Sequence, residues 1–142
     1  MIHLIKLCVG ADTIDDLQDW QEYVMGERRK LGLSPKPVHQ TRQTPKRAEE
    51  LVDGGSLYWV IKGNVLVRQR LIAVETLEDR NGKSYCELVL EPKLFLTEVQ
   101  RRKAFQGWRY LKPEDAPRDL ADSTAKDVPP ELGAALKEAG VW

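Results

Sequence analysis

Histidine and cysteine are scarce in this chain, and this scarcity excludes several familiar kinds of catalytic site. The 142 residues include two histidines, His3 and His39, and two cysteines, Cys8 and Cys86. A structural zinc site has its Cys and His ligands at recognised short spacings, and a dithiol redox site needs a Cys-X-X-Cys pair; neither pattern occurs. Glycine-rich phosphate loops and the Gly-X-Ser-X-Gly turn of hydrolases are also absent. The sequence therefore predicts no metal site, no cofactor and no catalytic residue.

Long apolar runs are absent as well. No stretch approaches the roughly 18 apolar residues that a membrane-spanning helix needs. The opening MIHLIKLCVG is apolar, but His3 and Lys6 interrupt it and acidic residues follow, unlike a secretory leader. Two isolated cysteines in a chain of this length are typical of a reducing compartment. We expect a cytoplasmic protein that does not enter the membrane.

Net charge is absent, but charge is strongly segregated along the chain. The 22 basic residues balance 22 acidic ones. Residues 28–47 and 101–112 contain bases and no acid, whereas residues 12–22 contain acids and no base, and residues 114–138 are mainly acidic. Such patterning can indicate a charged partner. The bases of the first block are Arg28, Arg29, Lys30, Lys36, Arg42, Lys46 and Arg47, and those of the second are Arg101, Arg102, Lys103, Arg109 and Lys112.

Apolar periodicity predicts a strand over HLIKLCVG and then a helix that begins after Thr13, a predicted N-cap. An apolar stripe of Ile14, Leu17, Trp20, Val24 and Leu31 follows the helical repeat. A second helix is predicted over TPKRAEELVDGG, with Thr44 as N-cap, Pro45 at its first position and Gly54 at its end.

The remaining elements are predicted to be strands. SLYWVIKG is one, and two long runs on either side of RNGK form a hairpin, with a bulge expected near Glu75. KLFLTEV and AFQGWRYL supply one or two more. This order predicts an α+β domain over residues 1–120, a small, partly closed, mostly antiparallel β-barrel with two or three helices at its rim. Residues 121–142 are predicted to be an acidic, proline-rich tail with a short helix.

Three long blocks carry a resemblance to a known family: HLIKLCVGADTIDDLQDW, TRQTPKRAEELVDGGSLYWVIKG and FQGWRYLKPEDAPRDL. They are similar to the uncharacterised alphaproteobacterial family called domain of unknown function 1489, over about residues 1–120. This resemblance implies a bacterial cytoplasmic protein and indicates no activity. The layout of a helix, a Gly-Gly pair, a strand and a long hairpin also resembles the PUA-like barrels (PUA, ASCH, EVE and YTH domains), which implies binding of RNA or a modified base.

Aromatic residues beside bases suggest a ligand pocket. Trp59 lies in one predicted strand, and Trp108 and Tyr110 share a face of another, with Arg109 and Lys112 close by. Stacking of a base on such a ring contributes about 1–3 kcal/mol. The alternative is that these rings fill the core while the basic side chains lie along apolar surface.

Two segments are predicted to bind phosphate. At the start of the second helix, threonine hydroxyls and bases could accompany first-turn amides, although pairing of the bases with Glu49 or Glu50 is the alternative. The Arg-Arg-Lys run after KLFLTEV is the other segment. The predicted phosphate ligands are Thr41, Arg42, Thr44, Lys46, Arg47, Arg101, Arg102 and Lys103.

These features together predict a module that binds RNA, a nucleotide or a modified base, and the acidic tail could cover its basic surface. One alternative is a nucleotide-processing enzyme on the same fold, with His39 as its only candidate base. The other is a protein-interaction adaptor whose charged blocks meet an oppositely charged partner.

Overall fold

Seven strands and two α-helices form the part of the chain that the computed structural model describes, residues 1–124, with side chains described to residue 120. A single 3₁₀ turn covers Pro113–Asp115. In chain order the elements are β1 (His3–Leu7), α1 (Ile14–Lys30), β2 (Val38–Thr41), α2 (Ala48–Val52), β3 (Ser56–Ile61), β4 (Asn64–Glu78), β5 (Ser84–Arg101), β6 (Trp108–Leu111) and β7 (Asp119–Thr124).

All seven strands belong to one mixed sheet in the order β2-β5-β4-β3-β1-β6, and β7 pairs with β5. β1 and β3 are parallel, and every other pair is antiparallel. A parallel pair needs a crossover connection, which α1, β2 and α2 provide here. The predicted α+β class, dominated by strands, is confirmed.

The first helix begins as predicted. The Thr13 hydroxyl accepts a hydrogen bond from the Asp16 amide at 3.1 Å, and the Asp16 carboxylate accepts one from the Thr13 amide at 3.1 Å. The apolar stripe is only half buried, however. Ile14 and Leu17 lie in the core, whereas Trp20 is 56% exposed and Leu31 is 74% exposed. The sheet extends under the first half of α1 only.

The second helix begins three residues later than predicted. It starts at Ala48 with Arg47 as N-cap and without a side-chain cap. The predicted cap Thr44 is engaged elsewhere, since its hydroxyl lies 3.0 Å from the hydroxyl of Thr76 on β4. Gly54 ends the turn with φ +83°, as predicted. At the next residue, Gly55, a Cβ atom would overlap the carbonyl oxygens of Leu51 and Ile2.

The long hairpin of β4 and β5 forms across the predicted Asn-Gly turn. The Asp79 carboxylate accepts hydrogen bonds from the amides of Asn81 and Lys83, and Gly82 has φ +77°. The register shifts lie between Val65 and Ala73, and Glu75 pairs regularly with Glu87, so the bulge expected near Glu75 was misplaced. Glu75 needs no bulge because the end of the hairpin is exposed to solvent.

Apolar side chains cover both faces of the sheet. The larger cluster lies beneath the helices and includes Leu17, Leu51 and Trp59. The smaller one, on the opposite face, includes Tyr58 and Val60. Strand alternation accounts for this division, because Tyr58 and Trp59 are consecutive and must point to opposite faces.

One polar network is buried within the larger cluster. The Gln69 side chain is fully buried and exchanges two hydrogen bonds with Gln21, at 2.6 and 2.8 Å. It also donates to the carbonyl of Glu91 at 2.7 Å and accepts from the Trp59 indole N–H at 3.1 Å. Burial of an amide is costly unless its donors and acceptors are paired, and here they are.

The edge strand β6 contacts the segment after β2 through hydrogen bonds between its side chains and the backbone of that segment, not through strand pairing. The Trp108 indole N–H donates to the Gln43 carbonyl at 3.0 Å, and the Tyr110 hydroxyl accepts from the Arg47 amide at 3.1 Å. The described strands therefore form a curled sheet that backbone hydrogen bonds do not close.

The last described strand crosses the predicted domain boundary at residue 120. β7 continues to Thr124 and pairs with β5. The predicted tail helix lies outside the described residues. Within residues 1–124, neither helix combines the length and apolar character needed to cross a bilayer.

Candidate anion-binding pocket

A cationic cavity lies at one end of the sheet, where the β3–β4 turn meets the end of β5. Its volume is about 750 Å³, and its walls are residues 62–64 and 101–104. The two segments are joined through the sheet, since Ile61 pairs with Asn64 and Asn64 with Arg101. The amide of Arg102 donates to the carbonyl of Gly63 at 2.8 Å, which continues this pairing one residue past β5. The fold thus places Lys62 beside the three consecutive bases Arg101, Arg102 and Lys103.

The turn that presents Lys62 has an uncommon backbone. Lys62 has φ +49° and Gly63 has φ +81°. Two consecutive residues with positive φ are typical of a tight hairpin, in which Asn, Asp or Gly is preferred at the first position. Lys62 is the only non-glycine residue with positive φ among those described. Strained backbone of this kind is a reason to suspect a functional site.

Acidic side chains within residues 1–120 neutralise few of the cations of this pocket. In the described part of the chain one carboxylate lies in ion-pair range of them, that of Asp12, 3.9 Å from the Lys62 ammonium. Arg102 donates to the side-chain carbonyl of Gln100 at 3.0 Å, which holds its guanidinium in place. Within residues 1–120, the side chains of Arg101 and Lys103 have no hydrogen-bond or ion-pair partner. A doubly charged anion would therefore find two or more cations available.

The predicted stacking rings do not line this pocket. Trp59 is 2% exposed and bonded to Gln69, so it leaves no face for a base. Trp108 and Tyr110 are half-buried, pack against the larger core cluster, and meet edge to face at 5.0 Å. Their polar atoms bond to Gln43 and Arg47, as described above. The alternative given by the sequence, that these rings fill the core, thus holds for Trp59, which is fully enclosed. Trp108 and Tyr110 are only partly buried against the core.

Arg109 and Lys112, the two predicted ligand-binding bases beside those rings, lie in different places. Arg109 points to the opposite face from Trp108, and its guanidinium lies 5.4 Å from the ring centre of Phe105, which packs on the smaller cluster. β6 begins at the pocket end of the sheet, where Trp108 pairs with Lys6, and ends where Leu111 pairs with His3. Lys112 comes directly after Leu111. Lys112 therefore lies at the far end of the sheet from Lys62.

The first predicted phosphate segment, residues 41–47, is largely engaged in internal contacts. Arg47 makes two hydrogen bonds to the Glu50 carboxylate, at 2.6 and 2.8 Å, which raise the pKa of Arg47 and lower that of Glu50. Thr44 bonds to Thr76, and Thr41 pairs with Cys86 in the sheet. Because α2 has only five residues, its N-terminus offers little dipole. The predicted pairing of bases with Glu50 is thus present at Arg47. Arg42 and Lys46 are exposed and lie in the same segment.

His39 and Cys8 are mostly buried, and burial disfavours the imidazolium form of His39 and the thiolate form of Cys8. His39 packs its ring edge against Trp59, with ring centres 5.1 Å apart. Burial, and secondarily the charge of Lys6, lowers the pKa of His39 to about 4. Burial, and secondarily Asp16, raises the pKa of Cys8 to about 11. His39 lines a groove beside α1 and not the cationic pocket.

Sequence reasoning missed Lys62 and Asn64 as pocket residues. Lys62 was assigned to the face of a strand, because SLYWVIKG reads as one continuous extended run. The signal was Gly63 between two β-rich runs, since a glycine in that position marks a turn. Among the described residues no cluster of three or more histidine, cysteine or acidic side chains is arranged to hold a metal ion.

These features define the class of the protein: an α+β domain with one mixed, strand-rich sheet and a cationic pocket at one end of it. The chain belongs to the DUF1489 family of proteins of unknown function, whose model matches residues 4–142. The resemblance noted in the sequence is thereby confirmed, and the match continues beyond Thr124 through residues 125–142. No curated protein and no solved structure gave a significant match to the chain.

Proposed function

We propose that the protein binds RNA or a nucleotide through the phosphates, at the cationic pocket. Lys62, Arg101, Arg102 and Lys103 would neutralise phosphate oxygens, and the Asn64 amide would lie beside them. The observation that carries this proposal is the convergence of four cations from two chain segments around one cavity, where the described residues place a single carboxylate in ion-pair range, 3.9 Å from Lys62. Such an arrangement raises the potential at the cavity and attracts anions.

Arginine suits phosphate by geometry, as it also suits a carboxylate. Its planar guanidinium donates in a fork that matches two phosphate oxygens. The cavity, at about 750 Å³, is within the range of small-molecule sites and is large enough for a nucleotide. The exposed bases of the first block, Arg42 and Lys46, would extend contact along a longer ligand.

The proposal includes the finer features that the sequence suggested. A PUA-like relationship would account for a curled sheet with helices at its rim, and a bacterial, cytoplasmic setting would accord with the two free cysteines, Cys8 and Cys86. In this proposal Trp108, Tyr110 and Arg109 flank the path of a longer ligand and do not form the phosphate pocket. Lys112 is too far along β6 to contribute to it.

Salt-dependent binding tests the proposal. Fluorescence anisotropy with a labelled single-stranded RNA of 12 nucleotides should give an affinity that falls steeply with salt, by about 0.7 in log K per contacted phosphate per log unit. The double charge reversal Arg101→Glu with Lys103→Glu should reduce affinity at least about tenfold and lower the salt slope by about 1.4. Both side chains are exposed, so the fold should be retained.

A matched control reverses two exposed bases elsewhere. Arg80→Glu with Lys83→Glu changes the same net charge at the tip of the β4–β5 hairpin. If both double variants weaken binding equally, the attraction is a general charge effect and the pocket proposal is wrong. Competition by a mononucleotide at concentrations similar to those of the RNA would favour the nucleotide-processing alternative over RNA binding.

A further inference from the structure

An exposed apolar groove lies between α1 and β2, on a surface that the cationic pocket does not include. Its cavity is about 550 Å³ and is lined mainly by apolar surface. Trp20 and Tyr23 stack on each other at 5.8 Å between ring centres and are 56% and 59% exposed. Leu31 and Leu33 at the end of α1 are 74% and 48% exposed. Clusters of large exposed apolar side chains usually mark an interaction surface.

We propose that residues 131–142 of the same chain occupy this groove. This inference is independent of the proposed RNA binding, because the groove and the cationic pocket share no residue. The proposal depends on the direction in which the described chain ends, on the distance to be covered, and on the apolar character of the segment.

The direction of β7 leads toward the groove. β7 and β2 both pair with β5 on the edge that β4 leaves open. β7 runs antiparallel to β5, from Asp119 opposite Thr97 to Thr124 opposite Phe95. The chain therefore leaves Thr124 heading along β5 toward Leu90, whose amide bonds to the carbonyl of Pro37 just before β2.

The distance fits the sequence that follows. Phe95 and Leu90 are five residues apart, or about 17 Å along a strand at roughly 3.3 Å per residue. The six residues AKDVPP, 125–130, cover about 19 Å in a polyproline-like conformation at about 3.1 Å per residue. Leu90 and Pro37 line a narrow cleft together with Trp20, and Trp20 also lines the groove. In this proposal the first residue of ELGAALKEAGVW would reach the entrance of the groove.

The chemistry of the segment suits this surface. Residues 131–142 contain Leu132, Leu136, Val141 and Trp142 for an apolar contact. The segment has two acidic side chains, Glu131 and Glu138, and one basic side chain, Lys137, so its side chains carry a net negative charge. The last turn of α1 is basic, and its charges are opposite in sign; its bases are Arg28, Arg29 and Lys30. The family match also includes both α1 and residues 131–142, so the two parts occur in one family unit.

Limited proteolysis of the full chain tests this proposal. Chymotrypsin should cleave after Leu136 at least tenfold more slowly in the unmodified protein than in the double variant Trp20→Ser with Tyr23→Ser. A variant changed on the other side of the contact, Val141→Asp, should show the same loss of protection. The matched control is Leu77→Ser with Val99→Ser, since both residues are exposed, at 36% and 39%, and neither lines the groove. Circular dichroism checks that each variant remains folded.

Three results would overturn the proposal. Equal cleavage rates after Leu136 in the unmodified protein and the groove variant would mean that the segment does not bind there. Protection that disappears on tenfold dilution would identify a second copy as the source of the occupant. Protection lost in Arg101→Glu with Lys103→Glu, and retained in the groove variant, would place the acidic segment on the cationic pocket instead.

Discussion

Replacing Lys62 with asparagine should separate the stability of the β3–β4 turn from the binding of the pocket. Lys62 has φ +49°, and a left-handed backbone costs about 1–2 kcal/mol for most L-residues. Asparagine tolerates this conformation, and Asn-Gly is a preferred pair for such a turn. We expect Lys62→Asn to recover about 0.5–1 kcal/mol of this cost.

The ion pair lost in this variant offsets little of that gain. The Lys62 ammonium lies 3.9 Å from the Asp12 carboxylate, and the two side chains are 48% and 73% exposed. Exposed pairs of this kind contribute about 0–1 kcal/mol, and this one should lie near the lower limit because its two charges are at the edge of ion-pair range and are well solvated. The net effect should be a small increase in the free energy of unfolding, measured in urea, and a rise in Tm of roughly 1–3 °C for a chain of this size.

Binding should change in the opposite direction. Loss of one phosphate contact should weaken RNA binding several-fold and lower the salt slope by about 0.7. Lys83→Asn is the matched control, because Lys83 lies in the other hairpin turn without positive φ and outside the pocket. If Lys62→Asn lowers stability by more than about 1 kcal/mol, the argument from backbone strain is refuted. If RNA affinity is unchanged, Lys62 is not a phosphate ligand.

Three further predictions concern the interior and its pH response. Gln69→Leu should cost about 2–4 kcal/mol in urea unfolding, because Gln21, the Trp59 indole and the Glu91 carbonyl all lose a buried partner; a cost below about 0.5 kcal/mol would contradict this. Arg68→Ala removes two hydrogen bonds to Asp119 on β7 and one to Ser56. It should therefore speed hydrogen exchange of the Glu98 amide, which donates to the Arg118 carbonyl beside β7. The control Arg70→Ala, at an exposed residue, should leave this exchange rate unchanged. His39 has a pKa of about 4 when folded and 6.5 as a free side chain, so unfolding takes up a proton between these values. The free energy of unfolding should therefore fall from pH 6.5 to 4, and less so in His39→Gln; identical pH profiles would refute this role.

The elements that local sequence determines were predictable. The Thr13 cap, the Asn-Gly hairpin and the Gly54 stop each depend on a few adjacent residues, and each forms as expected. The start of α2 was wrong because Thr44 bonds to Thr76, a residue 32 positions away. A capping pattern cannot reveal a competing partner that only the folded sheet brings close.

The candidate site was predictable in its charge and not in its geometry. The run from Arg101 to Lys103 was identified from charge alone, and it lines the pocket. Lys62 was missed because a turn within an apolar run looks like more strand. Trp59 was chosen for its neighbours, but strand alternation alone could not say which face of the sheet the helices cover.

The overlap that any side chain would suffer at Gly55 leaves room for glycine alone at this position. Three passages of the chain meet at that point: the entry to β1 at Ile2, the end of α2 at Leu51, and the entry to β3. A methyl group there would have to push two of them apart together, since both obstacles are backbone carbonyls that no rotamer change can move. Any chain that keeps this crossing should therefore keep glycine at this position.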